Sequence, residues 1–356
     1  MPRRVQTAGA RAIFRRMLRR PLTHAPGRAA GLAALATVAL LGCAGRQAAP
    51  AVPPITTAWR TSLHRDHPLV GRVWDVRAGR FVAAEVVLGA VARGRFVLLG
   101  ETHDNPDHHL LQARLLEAVT GAGRRPALAF EMLDASAQGA VDAVLAGGAP
   151  TADQLRDAVG WDQSGWPPFE EYRPIFEVGL AARLPVVAAN LSRAEAREVI
   201  HRGEDALAAP VRQLLDRAGP LPAAEATERG EEMAASHCGQ LPERFLAPMV
   251  LSQRARDAQL ARALVAAAGT DGAVLITGAE HARRDRAVPA FLGVAGIPAG
   301  EVVSVALREV DPAGRAPADY GPLPFDYVIF TPAAAREDPC KDLKPMGSGT
   351  QVRASR

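Results

Sequence analysis

Arg95-Phe96-Val97-Leu98-Leu99-Gly100-Glu101-Thr102-His103-Asp104 is the stretch from which the fold is read. Its apolar run is short and has no polar alternation, so it reads as a strand buried on both faces, as in parallel sheets. A glycine, an acid and a histidine then follow at the strand's carboxyl end, which is where open α/β sheets bind ligands. The pattern recurs far downstream, where Ala273-Val274-Leu275-Ile276-Thr277 leads into Gly278-Ala279-Glu280-His281. Two Gly-x-x-His turns are therefore expected at one rim, bringing imidazoles and carboxylates together from distant parts of the chain.

The surrounding sequence supplies the rest of such a sheet. Ala127–Phe130, Pro185–Ala189, Val302–Leu307 and Tyr327–Phe330 read as further strands, and residues 73–76 and 80–82 as a small hairpin. Helical spacing of leucines follows Pro106, with Asn105 as N-cap and the proline at the first helical position. Helices are also expected over 83–91, 135–145 and 248–268, and Ser192 with Glu195 forms a capping box. Strands alternating with helices predict an α/β fold: a mainly parallel sheet flanked by helices. The Ala-, Glu- and Arg-rich stretch at about 204–248, broken by prolines, reads as an inserted helical segment.

The ends have a different composition. The first 42 residues hold eight arginines and no acid, then an apolar stretch from Ala29 to Leu41 that leads into Gly42-Cys43. A charged start, a short apolar region and a small residue before cysteine have the form of a lipoprotein signal, with Cys43 as the lipidated residue. Residues 43–60 read as a tether, 61–332 as the folded domain and 333–356 as a disordered tail. The whole chain carries +4, so loss of eight arginines leaves about −4. With no basic patch interleaved with aromatics, nucleic acid is not an expected partner. Cys238 and Cys340 remain, and their separation in sequence leaves their pairing open.

Among site candidates, Glu101, His103, Glu131 and His281 stand at strand ends, with Arg284 just beyond. They are read either as a hydrogen-bonded acid–base cluster or, for Glu101, His103 and His281 with Glu131, as a divalent-metal site. Asp107, His108 and His109 read as a solvated first helical turn, where acids are expected from the helix dipole. Trp161, Trp166, Phe169 and Tyr172 form an aromatic cluster suited to packing or to an apolar ligand. Ser236-His237-Cys238 is a weaker candidate.

Taken in order, Val97-Leu-Leu-Gly-Glu-Thr-His-Asp-Asn-Pro-Asp-His-His, Phe130-Glu-Met, Tyr172-Arg-Pro-Ile, His237-Cys-Gly-Gln-Leu-Pro, Gln253-Arg-Ala-Arg-Asp and Thr277-Gly-Ala-Glu-His-Ala-Arg-Arg-Asp resemble the ChaN-like haem-binding lipoproteins of the Tiki/TraB and erythromycin-esterase group. The chain departs from them at Gly278-Ala-Glu-His, where members often carry Gly-Asn-Gly-His. The resemblance implies a lipid-anchored protein of the bacterial cell envelope, at the outer membrane and facing the periplasm. It also implies haem as ligand, a role in haem or iron handling, and a homodimer. It further implies tyrosinate ligation, since a phenolate is a hard donor that suits ferric iron. Tyr172, beside the aromatic cluster, is the expected haem ligand, with His237 and His281 as alternatives. The wider group implies a second reading, a metal-dependent hydrolase or protease at the paired Gly-x-x-His and glutamate site.

Overall fold

The computed structural model describes residues 54–341 except 57 and 339. The expected signal, its Cys43 and most of the tether lie outside these residues. Eight strands form one sheet: β1 (Val73–Asp75), β2 (Arg80–Val82), β3 (Phe96–Glu101), β4 (Ala127–Asp134), β5 (Val186–Asn190), β6 (Ala273–Gly278), β7 (Val302–Glu309) and β8 (Tyr327–Thr331), in the order β2-β1-β8-β7-β3-β6-β4-β5. The six strands β3 to β8 run parallel, and β1 and β2 add an antiparallel edge. The α/β reading therefore holds.

Period-two alternation explains why these strands are apolar throughout. In β3, Val97 and Leu99 join a core with Leu128, Phe130, Val274 and Ile276 beneath the helices Ala84–Arg93, Pro106–Gly121 and Phe169–Ala181. Phe96 and Leu98 point the other way, into a core with Ala127, Ala129, Ala273 and Leu275 under Arg193–Arg202, Ala209–Ala218 and Leu246–Ala267. With helices on both faces, only the strand ends are left for polar groups.

β3 lies between β6 and β7, so the chain passes β3 on both sides after leaving it. That arrangement is a topological switch point, and it opens a crevice at the carboxyl ends of β3 and β6. Both motif glycines are required there by close approach. A Cβ on Gly100 would lie 2.8 Å from the Ala279 Cα, and one on Gly278 would lie 2.9 Å from His103 Nε2.

Some expectations are corrected. Glu131 lies inside β4 rather than at its end, because β4 shifts register against β5 between Phe130 and Asp134 and continues to Asp134. The tether and tail expectations extend too far into the chain. Ile55 is buried and its N–H donates to the Gly71 carbonyl at 2.7 Å, while Ala333 bridges to Leu63. Arg336 pairs with both Asp104 and Glu309, and Cys340 forms a disulfide with Cys238. The aromatic stretch around Trp166 is followed by the helix Phe169–Ala181, which sequence reading did not anticipate.

Candidate functional site

Glu101, at the end of β3, is almost fully buried, and it organises one half of the site. Its Oε1 accepts from the Tyr172 hydroxyl at 2.5 Å and lies 2.8 Å from His103 Nδ1, and its Oε2 lies 3.3 Å from His109 Nε2. Burial opposes ionisation, but His109 and His103 outweigh it and hold the carboxyl down at about 2. Glu101 is thus a fixed anion that orients His103 through one ring nitrogen. The His103 ring packs against Trp166, with centroids 4.8 Å apart.

The other half is built on β4, β6 and the helix Leu246–Ala267. Glu131 Oε2 accepts from the Thr277 hydroxyl and from the Gly278 N–H, each at 2.7 Å. Its Oε1 lies 3.3 Å from His281 Nε2 and 4.0 Å from His103 Nε2. His281 Nδ1 lies 2.6 Å from Asp257 Oδ1. Burial disfavours the imidazolium, yet Glu131 and Asp257 outweigh it and raise His281 to about 10. Glu131 is held well below the usual carboxylate range because His281 outweighs its burial, whereas burial dominates at Asp257 and pushes its carboxyl up. One imidazolium therefore sits between two buried acids, with Glu131 the more firmly ionised.

The two halves are carboxylate–imidazole pairs side by side, and that bears on the metal expectation. Glu101, His103 and His281 come together, and Glu101 Oε1 is taken up by Tyr172 and His103, while its Oε2 lies 3.3 Å from His109 Nε2 without a hydrogen bond among the described residues. Among the described residues no group of three His, Cys, Asp or Glu side chains is arranged to hold a metal ion.

Three other expectations change. Tyr172 is fully buried, does not line the cavity above the site, and donates to Glu101. Burial, then the negative charge of Glu101, pushes its phenol well above the usual value, so it is a neutral hydrogen-bond donor and not a phenolate facing a ligand. Arg284 leaves the cluster: the chain turns back along β7, and its guanidinium meets Asp326 at 2.6 Å and the Val302 carbonyl at 2.8 Å, at the amino end of that strand. Arg286 takes the cavity position instead, held by Glu232 and Glu280.

Nor are Asp107, His108 and His109 solvated. Asp107 accepts the N–H groups of Arg60 and Thr61 and so pins the incoming chain. His108 accepts from the Thr102 N–H at 2.8 Å and contacts the Thr331 hydroxyl, and burial lowers it to about 4. His237, the other expected haem contact, is half-buried at a helix end with Nδ1 2.8 Å from the Met233 carbonyl.

Above the paired acids and imidazoles lies a cavity of about 1310 Å³. Its apolar wall comes from Met132, Leu133, Trp161, Trp166, Met233 and Val250. Arg193, Arg256 and Arg308 also line it, and none makes a hydrogen bond or ion pair to a described side chain. Arg193 and Arg256 face the carboxyl of Asp134 from farther off. Sequence reading missed Asp257, Arg193 and Arg256. The first had two visible signals: it ends the stretch Gln253-Arg-Ala-Arg-Asp, and it is the lone acid in the Ala- and Leu-rich helix Leu246–Ala267.

A family profile described as haem-binding uptake, Tiki superfamily, ChaN matches residues 87–292, more than half of the chain. The chain belongs to this family. ChaN of Campylobacter jejuni, in a structure described as showing cofacial haem binding, is similar at a TM-score of 0.57 and 21% identity over 72% of this chain and 95% of that one. That likeness shows the shared fold. An erythromycin esterase, EreC, is similar at a TM-score of 0.35 and 15% identity over 71% of this chain and 80% of that one. No curated protein matches the sequence. In ChaN-family terms, the matched stretch spans both Gly-x-x-His turns, Glu131 and Asp257, and ends within the helix Ala287–Val294 that follows His281.

The charge pattern sets the pH dependence of stability. His281 is ordinarily near 6.5 and is raised to about 10, so its contribution is full below pH 6.5 and is lost as pH climbs toward 10. His108 is lowered from 6.5 to about 4, so its contribution is full above pH 6.5 and is lost as pH falls through that window. Glu101, lowered from 4.5 to about 2, extends the acid-side loss, and the raised Asp257 offsets part of it. The urea midpoint is therefore expected to peak near pH 6.5. A midpoint that kept rising to pH 10 would contradict a buried His281 imidazolium.

Proposed function

We propose that this chain binds haem in the cavity above the Glu101–His103 and Glu131–His281 pairs. The observation that carries the proposal is the cavity's composition: an apolar wall of tryptophan, methionine and aliphatic side chains beside three unpartnered arginines. Haem is a flat apolar ring with two carboxylates. Ligand sites of about 300–1,000 Å³ hold molecules of that general size, and this cavity exceeds the range. Trp166, Met132 and Met233 would pack on the ring, and Arg193, Arg256 and Arg308 would pair with the carboxylates, because guanidinium forks suit carboxylate geometry. Two imidazoles line the cavity; His281 is held between Glu131 and Asp257, which leaves His103, already oriented by Glu101, as the donor. Bound haem would supply an iron centre; the polar floor would orient the imidazole and hold its proton on Nδ1.

Titration of the purified chain with haemin, followed by absorbance, tests the proposal; saturation at a fixed stoichiometry supports it and a featureless linear rise removes it. Tyr172→Phe separates the two ligand assignments. It is expected to bind haemin within about threefold of the parent while losing about 1.5–3 kcal/mol of stability, the range for a hydrogen bond to a charged group. Loss of binding in that variant would restore Tyr172 as the ligand.

The same reading includes lipid attachment at Cys43, residence in the cell envelope at the outer membrane, a homodimer and a role in haem or iron uptake. Its support is the form of the first 43 residues together with the family. The mass of the amino-terminal peptide checks the anchor, and sedimentation with and without haemin checks the dimer.

A further inference from the structure

The helix Ala223–Ser236 forms one wall of the cavity through Arg229, Glu232, Met233, Ala235 and Ser236, yet none of its 14 residues is buried. A helix held by so little apolar contact opens at low free-energy cost compared with the core. Its ends suit movement. Before it stand Gly219, with φ of +73°, and Pro220 and Pro222; after it stand Cys238 and Gly239, with φ of +58° and +66°. Besides its packing on the helix Leu246–Ala267, two side-chain restraints hold it. Arg286 pairs with Glu232 at 2.7 Å, and Cys238 is bonded to Cys340.

The second restraint leads back to the sheet. The segment after β8 crosses the carboxyl edge, where Arg336 pairs with Glu309 at the end of β7 and with Asp104 in the loop after β3. Ala334 N–H also donates to Glu309. The disulfide thus ties this wall of the cavity to the rim that carries His103. Cys340 is exposed and Cys238 half-exposed, so the bond is open to attack.

We propose that the helix Ala223–Ser236 is a lid over the cavity and that the Cys238–Cys340 disulfide is its redox latch. A dithiol reductant would open it by ordinary exchange. One thiolate attacks Cys340 Sγ, giving a mixed disulfide and releasing the Cys238 thiolate, which takes up a proton. The second thiol then displaces Cys340. The S–S bond becomes two thiols, and the dithiol becomes a disulfide with two electrons passed.

Amide hydrogen exchange over residues 223–238 of the full chain tests this, comparing the oxidised protein, the dithiothreitol-reduced protein and the Cys238→Ser/Cys340→Ser variant. Exchange in the lid is expected to quicken by about tenfold or more on reduction and in the variant, with β3 and β6 unchanged. Arg336→Ala keeps the disulfide but cuts the tail's anchor, and is expected to loosen the lid by part of that factor; a purely local effect of the bond predicts no change. If the double variant fails to fold, the reduced parent decides. Equal lid exchange in oxidised and reduced protein overturns the proposal. Its consequence for haem, faster haemin transfer from reduced protein to an apo-acceptor, rests on the haem reading. Failure to bind haemin in either redox state would remove that reading and leave the exchange result standing.

Discussion

Replacing Arg193 and Arg256 together by alanine is expected to weaken haemin binding about 100-fold, or about 2.7 kcal/mol. Each guanidinium lines the cavity without a hydrogen-bond or ion-pair partner among the described residues, so each is free to take a carboxylate. A hydrogen bond to a charged group is worth about 1.5–3 kcal/mol. Two such bonds would exceed the stated figure, but Arg193 is exposed and solvent screens its share. Both residues also stabilise the ionised form of Asp134, whose carboxyl burial pushes up. Removing them therefore raises Asp134 further and costs the fold little. The check is haemin affinity at two ionic strengths, with the urea midpoint as control. An unchanged affinity with an unchanged midpoint would place the carboxylates elsewhere, and Arg308→Ala would then be the next variant. Higher salt should weaken the parent more than the double variant.

Glu131→Ala is expected to destabilise the fold by about 3–5 kcal/mol, the cost of leaving a buried charge without its partner. The reasons are specific. Glu131 accepts the Thr277 hydroxyl and the Gly278 N–H, both buried, and faces the His281 imidazolium. The alanine would leave a donor pair with no acceptor and His281 with Asp257 alone. Since domains are stable by about 5–15 kcal/mol, a loss of this size threatens folding itself. Glu131→Gln supplies the milder test. It keeps an acceptor for Thr277 and Gly278 but removes the charge, so the loss should be smaller and the His281 pKa should fall. The alkaline limb of the stability–pH curve should then move to lower pH. A Gln variant with the parent's alkaline limb would show that Asp257 alone holds the proton on His281.

The sheet was legible because its signal is local. Uniform apolar runs of four to six residues ending in Gly-Glu-Thr-His or Gly-Ala-Glu-His name both the two-sided burial and the rim, and the glycines are explained by close approach, of the Ala279 backbone at Gly100 and of the His103 ring at Gly278. The membership of Glu101, His103, Glu131 and His281 in one cluster followed from parallel topology alone. What each does was not legible. Asp107, His108 and His109 follow a helix N-cap exactly as solvated residues would, and only packing under residues 60–61 and against Thr331 buries them. Tyr172 stood beside tryptophans in sequence, but the helix that carries it turns its hydroxyl to Glu101 and away from the cavity. Arg284 and Arg286 differ by two positions, and the turn after His281 sends one to the amino end of β7 and the other to the cavity.

The sequence by itself determined the layered α/β architecture, the strand ends that carry polar chemistry and the family. Periodicity and short motifs act within a few residues and need no knowledge of distant partners. Tertiary structure alone decided which carboxylate holds which imidazole, which arginines remain without partners, that Tyr172 is a buried donor, and that Cys238 meets Cys340 across 102 residues. Those are facts of proximity and desolvation, set by how the helices close over the sheet, and no local pattern encodes them.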